Sequence, residues 1–244
     1  MPTVKLTLQY DGTSYVGWQR QAAGTSIQGL IEQALEPIEG APVTVIGAGR
    51  TDAGVHALGQ VASVALTTSL DDQTLQRALN AALPPEVRVV DARRVADTFH
   101  ARFSARSKTY EYRIVNAPFV SAFEHRYAWH VPQPLDVPAM RAAARALVGR
   151  HDFAAFRAAG SDVRATERDL SVLDVSFSEP RLSVVATADG FLRHMARAIV
   201  GTLVEVGAGR ARPEWVIDVL GSRDRSRAGP TAPARGLFLV SVDY

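Results

Sequence analysis

The stretch Gly47-Ala-Gly-Arg-Thr-Asp-Ala-Gly-Val-His56 sets a cation, an anion and an imidazole, Arg50, Asp52 and His56, among three glycines. Glycine adopts positive φ and lets a partner approach closely, so Gly47, Gly49 and Gly54 allow an irregular loop that presents Arg50 and Asp52 to a ligand. A dinucleotide turn of the form G-x-G-x-x-G would need glycine where Asp52 stands, and a carboxylate there repels a pyrophosphate. Asp52 and His56 are metal-ligand types, but the chain has no cysteine and no second carboxylate–histidine cluster lies nearby, so a metal set is incomplete. The structural alternative is that Asp52 closes an Asx turn and Arg50 is a solvated neighbour.

The elements around this loop are legible from periodicity. Val43-Thr-Val-Ile46 is β-branched and apolar and reads as a short buried strand that the loop leaves. Val4, Leu6, Leu8 and Tyr10 alternate as a half-buried strand, turned by Asp11-Gly12. Ile27, Leu30, Ile31, Ala34, Leu35 and Ile38 fall at helical spacing behind a cap at Thr25 or Ser26, with Gln28 placed as in a capping box. Val61 to Leu66 reads as a strand, Asp71 or Asp72 caps a helix stopped by Pro84-Pro85, and Val87 to Val95 is a further strand. The first half therefore reads βαββαβ.

A second half starts near Ser104. Its strand carries Tyr110, Tyr112 and Ile114 on one face, and another strand lies near Tyr127 to Val131. Asp136-Val-Pro138 opens a helix to Leu147. Leu173 to Phe177 and Leu182 to Val184 form a hairpin across Ser178-Glu-Pro-Arg181, followed by a long helix from Phe191 to about Val206. A short helix from Glu214 to Leu220 and a strand from Leu237 to Val242 complete the pattern. Helices and strands mix without strict alternation, which favours α+β with mainly antiparallel pairing over a doubly wound sheet. The expected domains are 1–103, carrying the glycine loop, and 104–244.

With 244 residues, 47% of them hydrophobic, the chain can bury one large core or two smaller ones. No apolar run reaches the roughly 18 to 20 residues of a membrane span, and the N-terminus begins with a strand-like alternation where a signal sequence would stand. The absence of cysteine fits a reducing cytoplasm. Net charge is only +2, but the charge is clustered. Arg193 to Arg235 holds eight Arg against four acids, and Arg93 to Arg113 holds five Arg with Lys108 against two. Such a run can be a solvated face; interleaved with Phe99, Phe103, Tyr110 and Tyr112 it also suits phosphate contact with base stacking.

Six blocks in order carry a resemblance: Tyr10-Asp-Gly-Thr-Ser-Tyr-Val-Gly-Trp-Gln19, Gly49-Arg-Thr-Asp-Ala-Gly-Val-His-Ala57, Phe99-His-Ala-Arg-Phe-Ser104, Gly149-Arg-His-Asp-Phe153, Phe191-Leu-Arg-His-Met-Ala-Arg197 and Thr231-Ala-Pro-Ala-Arg-Gly-Leu237. Together they resemble the tRNA pseudouridine synthase A family from end to end. The resemblance implies two similar α/β lobes with mainly antiparallel sheets joined around a central basic cleft. It further implies a cytoplasmic homodimer that isomerises uridine in the anticodon stem-loop of tRNA without cofactor, metal or membrane. One departure is Ala198, where the family often has Asn after the arginine.

The resemblance assigns the nucleophile to Asp52, a role a carboxylate can fill toward an anomeric or an activated ring carbon. It assigns the partner cation to Arg197 on the long helix, so that the expected site draws on both lobes. Tyr110 matches the residue that stacks on the flipped uracil, against the alternative of a core aromatic. Arg50 is expected to meet the RNA backbone or brace the flipped nucleotide, and His56 remains without an assigned role. Two other functions use the same features: a non-catalytic RNA-binding module, and a base-releasing hydrolase, which normally needs a second carboxylate that GRTDAGVH lacks.

Overall fold

The computed structural model describes residues 2–160, 163 and 165–244. They form two compact units, one running to Arg106 and taking back Phe238–Tyr244, the other spanning Ser107–Leu237.

The first unit is β1 (Thr3–Tyr10), α1 (Ile27–Glu39), β2 (Ile46–Gly47), β3 (His56–Ala65), α2 (Asp72–Ala82) and β4 (Val87–Val95). This is the βαββαβ order expected from the periodicity. β1 lies between β3 and β4, antiparallel to both, and its alternating Val4, Leu6 and Leu8 are fully buried. Burying each such side chain contributes about 1.5–3 kcal/mol. α2 packs on β4 through Leu75 and Leu79, capped by Asp71, whose carboxylate accepts from Thr74 N at 2.9 Å.

The expected strand at Val43–Ile46 shrinks to the two residues of β2, and Ile46 is exposed. The cause is side-chain competition: Val45 donates its N–H to Glu32 Oε1 and accepts at its carbonyl from Gln28 Nε2. Both backbone groups of Val45 are thus satisfied away from a ladder. The same bonds remove the expected capping box. Ser26 caps α1 by accepting from Gly29 N, while Gln28 accepts from Arg20 N and Gln19 Nε2.

The second unit holds β5 (Ser107–Val115), β6 (Trp129–His130), α3 (Val137–Arg145), β7 (Gly149–Asp152), β8 (Glu167–Ser178), β9 (Arg181–Ala188), α4 (Met195–Gly207) and α5 (Trp215–Ser222). The order β5-β9-β8-β7 is antiparallel throughout, with β6 added parallel to β5. α3 packs against α4 and β8. α4 is apolar nearly all round and lies buried, as such a helix must. It begins at Met195 and not at Phe191, because His194 takes the left-handed conformation at φ 61 and breaks helical continuity there.

The chain then runs into β10 (Leu237–Asp243), which pairs parallel with β3 at Phe238 and Leu239 in the first unit. β3 thus has β1 along one edge, with β10 near His56 and β2 near Ser63 on the other. The described residues are mixed α and β with mostly antiparallel pairing.

Candidate active site

Asp52 sits on the short connection from β2 to β3, at the first position of a turn. Its carbonyl accepts from Val55 N at 3.1 Å, and Gly54 takes φ +76 at the third position, as in a type II turn that favours glycine there. The residue is half-buried, and Thr51 before it is buried. β3 starts at His56, well before the expected Val61, so the Asp52 turn leads directly into a ten-residue strand.

The turn is braced from one side by the segment that follows β1. Thr51 O accepts from Trp18 N at 3.0 Å, and Thr51 Oγ1 shares a 2.8 Å hydrogen bond with Tyr10 Oη. Gly17, at φ +101, lies so close that a Cβ would stand 2.5 Å from Thr51 O, which only glycine avoids. Gln60 donates from Nε2 to Gly49 O at 2.9 Å, and the same nitrogen lies 3.4 Å from Tyr10 Oη. Burial raises the Tyr10 hydroxyl from 10.0 to about 12, against the opposing hydrogen bonds of Thr51 and Gln60. Tyr10 is therefore neutral at physiological pH and serves this network as a hydroxyl.

His56 is buried at the start of β3, stacked on Phe238 with ring centroids 4.7 Å apart. Its Nδ1 accepts from Gly12 N at 3.1 Å and lies 3.1 Å from Asp11 Oδ1. The Gly12 amide and the Asp11 carboxylate meet the same ring nitrogen. His56 thus ties the Asp11–Gly12 turn to the start of the strand that follows the Asp52 turn. Arg50 is exposed, and its Nε donates to Gln19 Oε1 at 3.1 Å.

In the second unit, Tyr110 is buried in the middle of β5, opposite Ala186, with its ring edge-on to Phe191 at 4.9 Å. Arg197 is half-buried in the first turn of α4, and its Nε donates to Ala232 O at 2.7 Å while its own carbonyl accepts from Ala232 N. The Thr231–Leu237 block is in turn anchored by Tyr112 Oη, which donates to Pro233 O at 2.7 Å, and by Arg225, which donates to Gly229 O and Thr231 Oγ1. Burial pushes the Tyr112 hydroxyl up, against the opposing charges of Arg197 and Arg235. Ala198, at the departure from the family pattern, is fully buried and accepts at its carbonyl from Thr202 Oγ1.

Arg50 and Asp52 thus share one braced loop in the first unit, while Tyr110 and Arg197 are each fixed inside the second. Among the described residues no group of three or more His, Cys, Asp or Glu side chains could hold a metal ion. Sequence reading missed Tyr10, Thr51 and Gln60. Tyr10 and Thr51 stand in the blocks Tyr10–Gln19 and Gly49–Ala57 and Gln60 in neither, and their role as a brace appears only when β1 and β3 are paired.

A family model described as tRNA pseudouridine synthase matches residues 7–104 and 143–244. The chain is 48% identical to tRNA pseudouridine synthase A of Moorella thermoacetica over 246 residues, covering all of both chains. It is 50% identical to the protein of that name from Myxococcus xanthus, covering all of this chain and 92% of the relative. For the one from Syntrophotalea carbinolica the identity is 47%, across all of this chain and 97% of the relative. A match that takes in both the Asp52 loop and the Arg197 helix, with relatives near half identity along the whole length, shows that the chain belongs to the tRNA pseudouridine synthase family.

Proposed function

We propose that this protein converts uridine to pseudouridine in the anticodon stem-loop of tRNA, with Asp52 as the nucleophile. The observation that carries this reading is the seat of Asp52, a half-buried carboxylate on a glycine turn whose preceding peptide is held from Tyr10, Gly17 and Trp18. The reaction breaks the bond from N1 of uracil to C1′ and makes one from C5 to C1′. C5 gives up its proton and N1 gains one, so no external reagent is consumed. The carboxylate adds either to C1′ or to C6 and is released at the end, and both routes require it ionised.

Arg197 is assigned as the counter-ion that keeps Asp52 ionised and aligned. Its Nε is committed to Ala232 O, which orients a planar fork suited to a carboxylate. Tyr110, its ring set by Phe191, is assigned to stack on the extruded uracil, and exposed Arg50 to meet the RNA backbone. A uridine in a stem must leave the stack before its C1′ or C6 can be reached, and the arginines hold the phosphates while it does. The relatives' names support tRNA as the substrate. The same reading takes the protein as a cytoplasmic homodimer acting without cofactor; no described helix is long and apolar enough to cross a membrane.

The test is Asp52→Asn on an anticodon-arm transcript, with pseudouridine and free uracil both measured. Turnover is expected to fall by about a thousandfold or more while tRNA affinity changes little. Pseudouridine formation at the wild-type rate by that variant would overturn the assignment of Asp52. Free uracil without pseudouridine from the wild type would instead make the protein a hydrolase.

A further inference from the structure

The turn Phe99–Ser104 is built tightly, yet it exposes an aromatic ring. His100 Nδ1 accepts from both Arg102 N at 3.1 Å and Phe103 N at 3.2 Å, which fixes the imidazole in one orientation and one tautomer. Ser104 closes the turn: its N–H donates to His100 O at 2.9 Å and its Oγ accepts from His100 N at 3.1 Å. Ala101 at the centre is fully buried, donating to Ser63 Oγ and accepting from Tyr244 Oη. It packs with Ala48 of the glycine loop and Val61 of β3 in one apolar cluster, which Phe99 and Tyr244 extend. The turn and the Asp52 loop therefore stand on a common base within the first unit.

On this base the Phe103 ring is stacked on His100, centroids 4.3 Å apart at 29°, and remains 78% exposed. An exposed phenylalanine of this kind costs hydration and gains little from the fold, so its rigid mounting calls for an occupant. The surroundings select one. The Arg102 guanidinium lies 5.7 Å from the ring centroid, and Arg102 and Arg106 are both exposed with no carboxylate in ion-pairing distance among the described residues. A flat apolar face beside the exposed Arg102 guanidinium, with exposed Arg106 three residues on, complements a nucleobase and its phosphates better than an apolar protein surface, whose burial would strand the charges.

We propose that Phe103, mounted on His100, is a stacking platform for an unpaired nucleobase of the RNA substrate, with Arg102 and Arg106 on the adjoining phosphates. The platform is distinct from the place of the reacting uridine, and it rests on the reading of the protein as a tRNA-modifying enzyme. It gives the enzyme a hold on a second, splayed nucleotide, so that part of its selectivity lies in the shape of a loop.

The experiment compares Phe103→Ala, Phe103→Leu and Phe103→Trp in the full chain, measuring tRNA affinity, KM and kcat, thermal melting and sedimentation. Ala and Leu are expected to weaken tRNA affinity and raise KM about tenfold, with a smaller effect on kcat, while Trp restores wild-type values. The failure of Leu where Trp succeeds separates stacking from simple apolar contact. Melting is expected to stay at the wild-type temperature, since the ring is exposed. Wild-type affinity and KM in both Ala and Leu would overturn the platform, although the parent enzyme still forms pseudouridine. A loss of self-association in Phe103→Ala with tRNA affinity intact would also overturn it, assigning the ring to a second copy of the chain. A wild-type enzyme that forms no pseudouridine would defeat the underlying function, an outcome read in a separate arm.

Discussion

Asp52 is conspicuous by type, a carboxylate between glycines two residues from an arginine, but residue type alone also allows an Asx turn, and the nucleophile role comes from the family resemblance. Tyr10 is not conspicuous. In the sequence it is the last member of an alternating strand, and nothing in its spacing says that its hydroxyl meets Thr51 and Gln60, 41 and 50 residues further on. Residues that act through another residue carry no local signature. If the network positions the Asp52 turn, Tyr10→Phe keeps the ring in the core but frees Thr51 Oγ1 to rotate, and kcat is expected to fall about tenfold with KM little changed. The lost hydrogen bond costs about 1 kcal/mol of stability at neutral pH. Tyr10 releases its proton at about 12 in the folded protein and near 10.0 when unfolded, so its contribution is complete below pH 10 and is lost as pH rises toward 12. The stability gap between wild type and Tyr10→Phe, measured by denaturant titration, is therefore expected to close across that interval. A gap that stays constant would mean that the hydroxyl is not desolvated, against its burial in the fold.

Among the elements, those with strong periodicity were legible. β1, α1, α2 and β4 lie where alternation, helical spacing and the Pro84-Pro85 stop put them. The misreadings have separate causes, one being that polar side chains took backbone groups that the pattern assigned elsewhere. Gln28 and Glu32 reduced β2 in this way, and β7, Gly149-Arg-His-Asp152, has no apolar residue to announce a strand. Glu39 at the end of α1 shows the same habit. Its carboxylate accepts from Thr67 Oγ1 at 2.5 Å and from the backbone N–H of Thr67 and Thr68, joining the helix to the segment after β3. These bonds, the Thr67 hydroxyl first, hold its pKa below the ordinary 4.5. A depressed carboxylate stabilises the fold above its unfolded pKa and loses that contribution as pH falls through the folded value. Glu39→Gln is expected to lower the melting temperature by about 2 °C at pH 7, a small effect because the group is exposed to solvent screening. The difference should shrink below pH 4.5, and a difference that grows with acid would contradict the hydrogen-bond assignment.

At the scale of the whole chain, the sequence shows 25 Arg among 27 basic residues, and a simple count exaggerates what RNA can use. Arg210 is paired with Glu205 and Arg223 with Asp152, while Arg193, Arg197 and Arg225 donate to backbone carbonyls of their own unit. Much of the second basic region therefore fastens loops, a use of arginine that only the fold reveals. One of the two lysines is likewise internal in purpose, with Lys5 Nζ 4.6 Å from the Tyr244 ring centroid. Fewer phosphate contacts are therefore expected than the arginine count implies, and the log–log dependence of tRNA affinity on salt is expected to have a slope of about −3 to −5. The slope also separates the kinds of contact. Arg102→Gln removes a charge that releases a counterion and should flatten the slope by about 1, whereas Phe103→Ala removes only a stacking face and should lower affinity equally at every salt concentration. Parallel lines for wild type and Phe103→Ala, with a shallower one for Arg102→Gln, would place both residues on RNA in the roles their geometry gives them. A shallower line for Phe103→Ala would mean that the ring acts by holding Arg102 in place, and identical lines for all three would remove this turn from the RNA-binding surface.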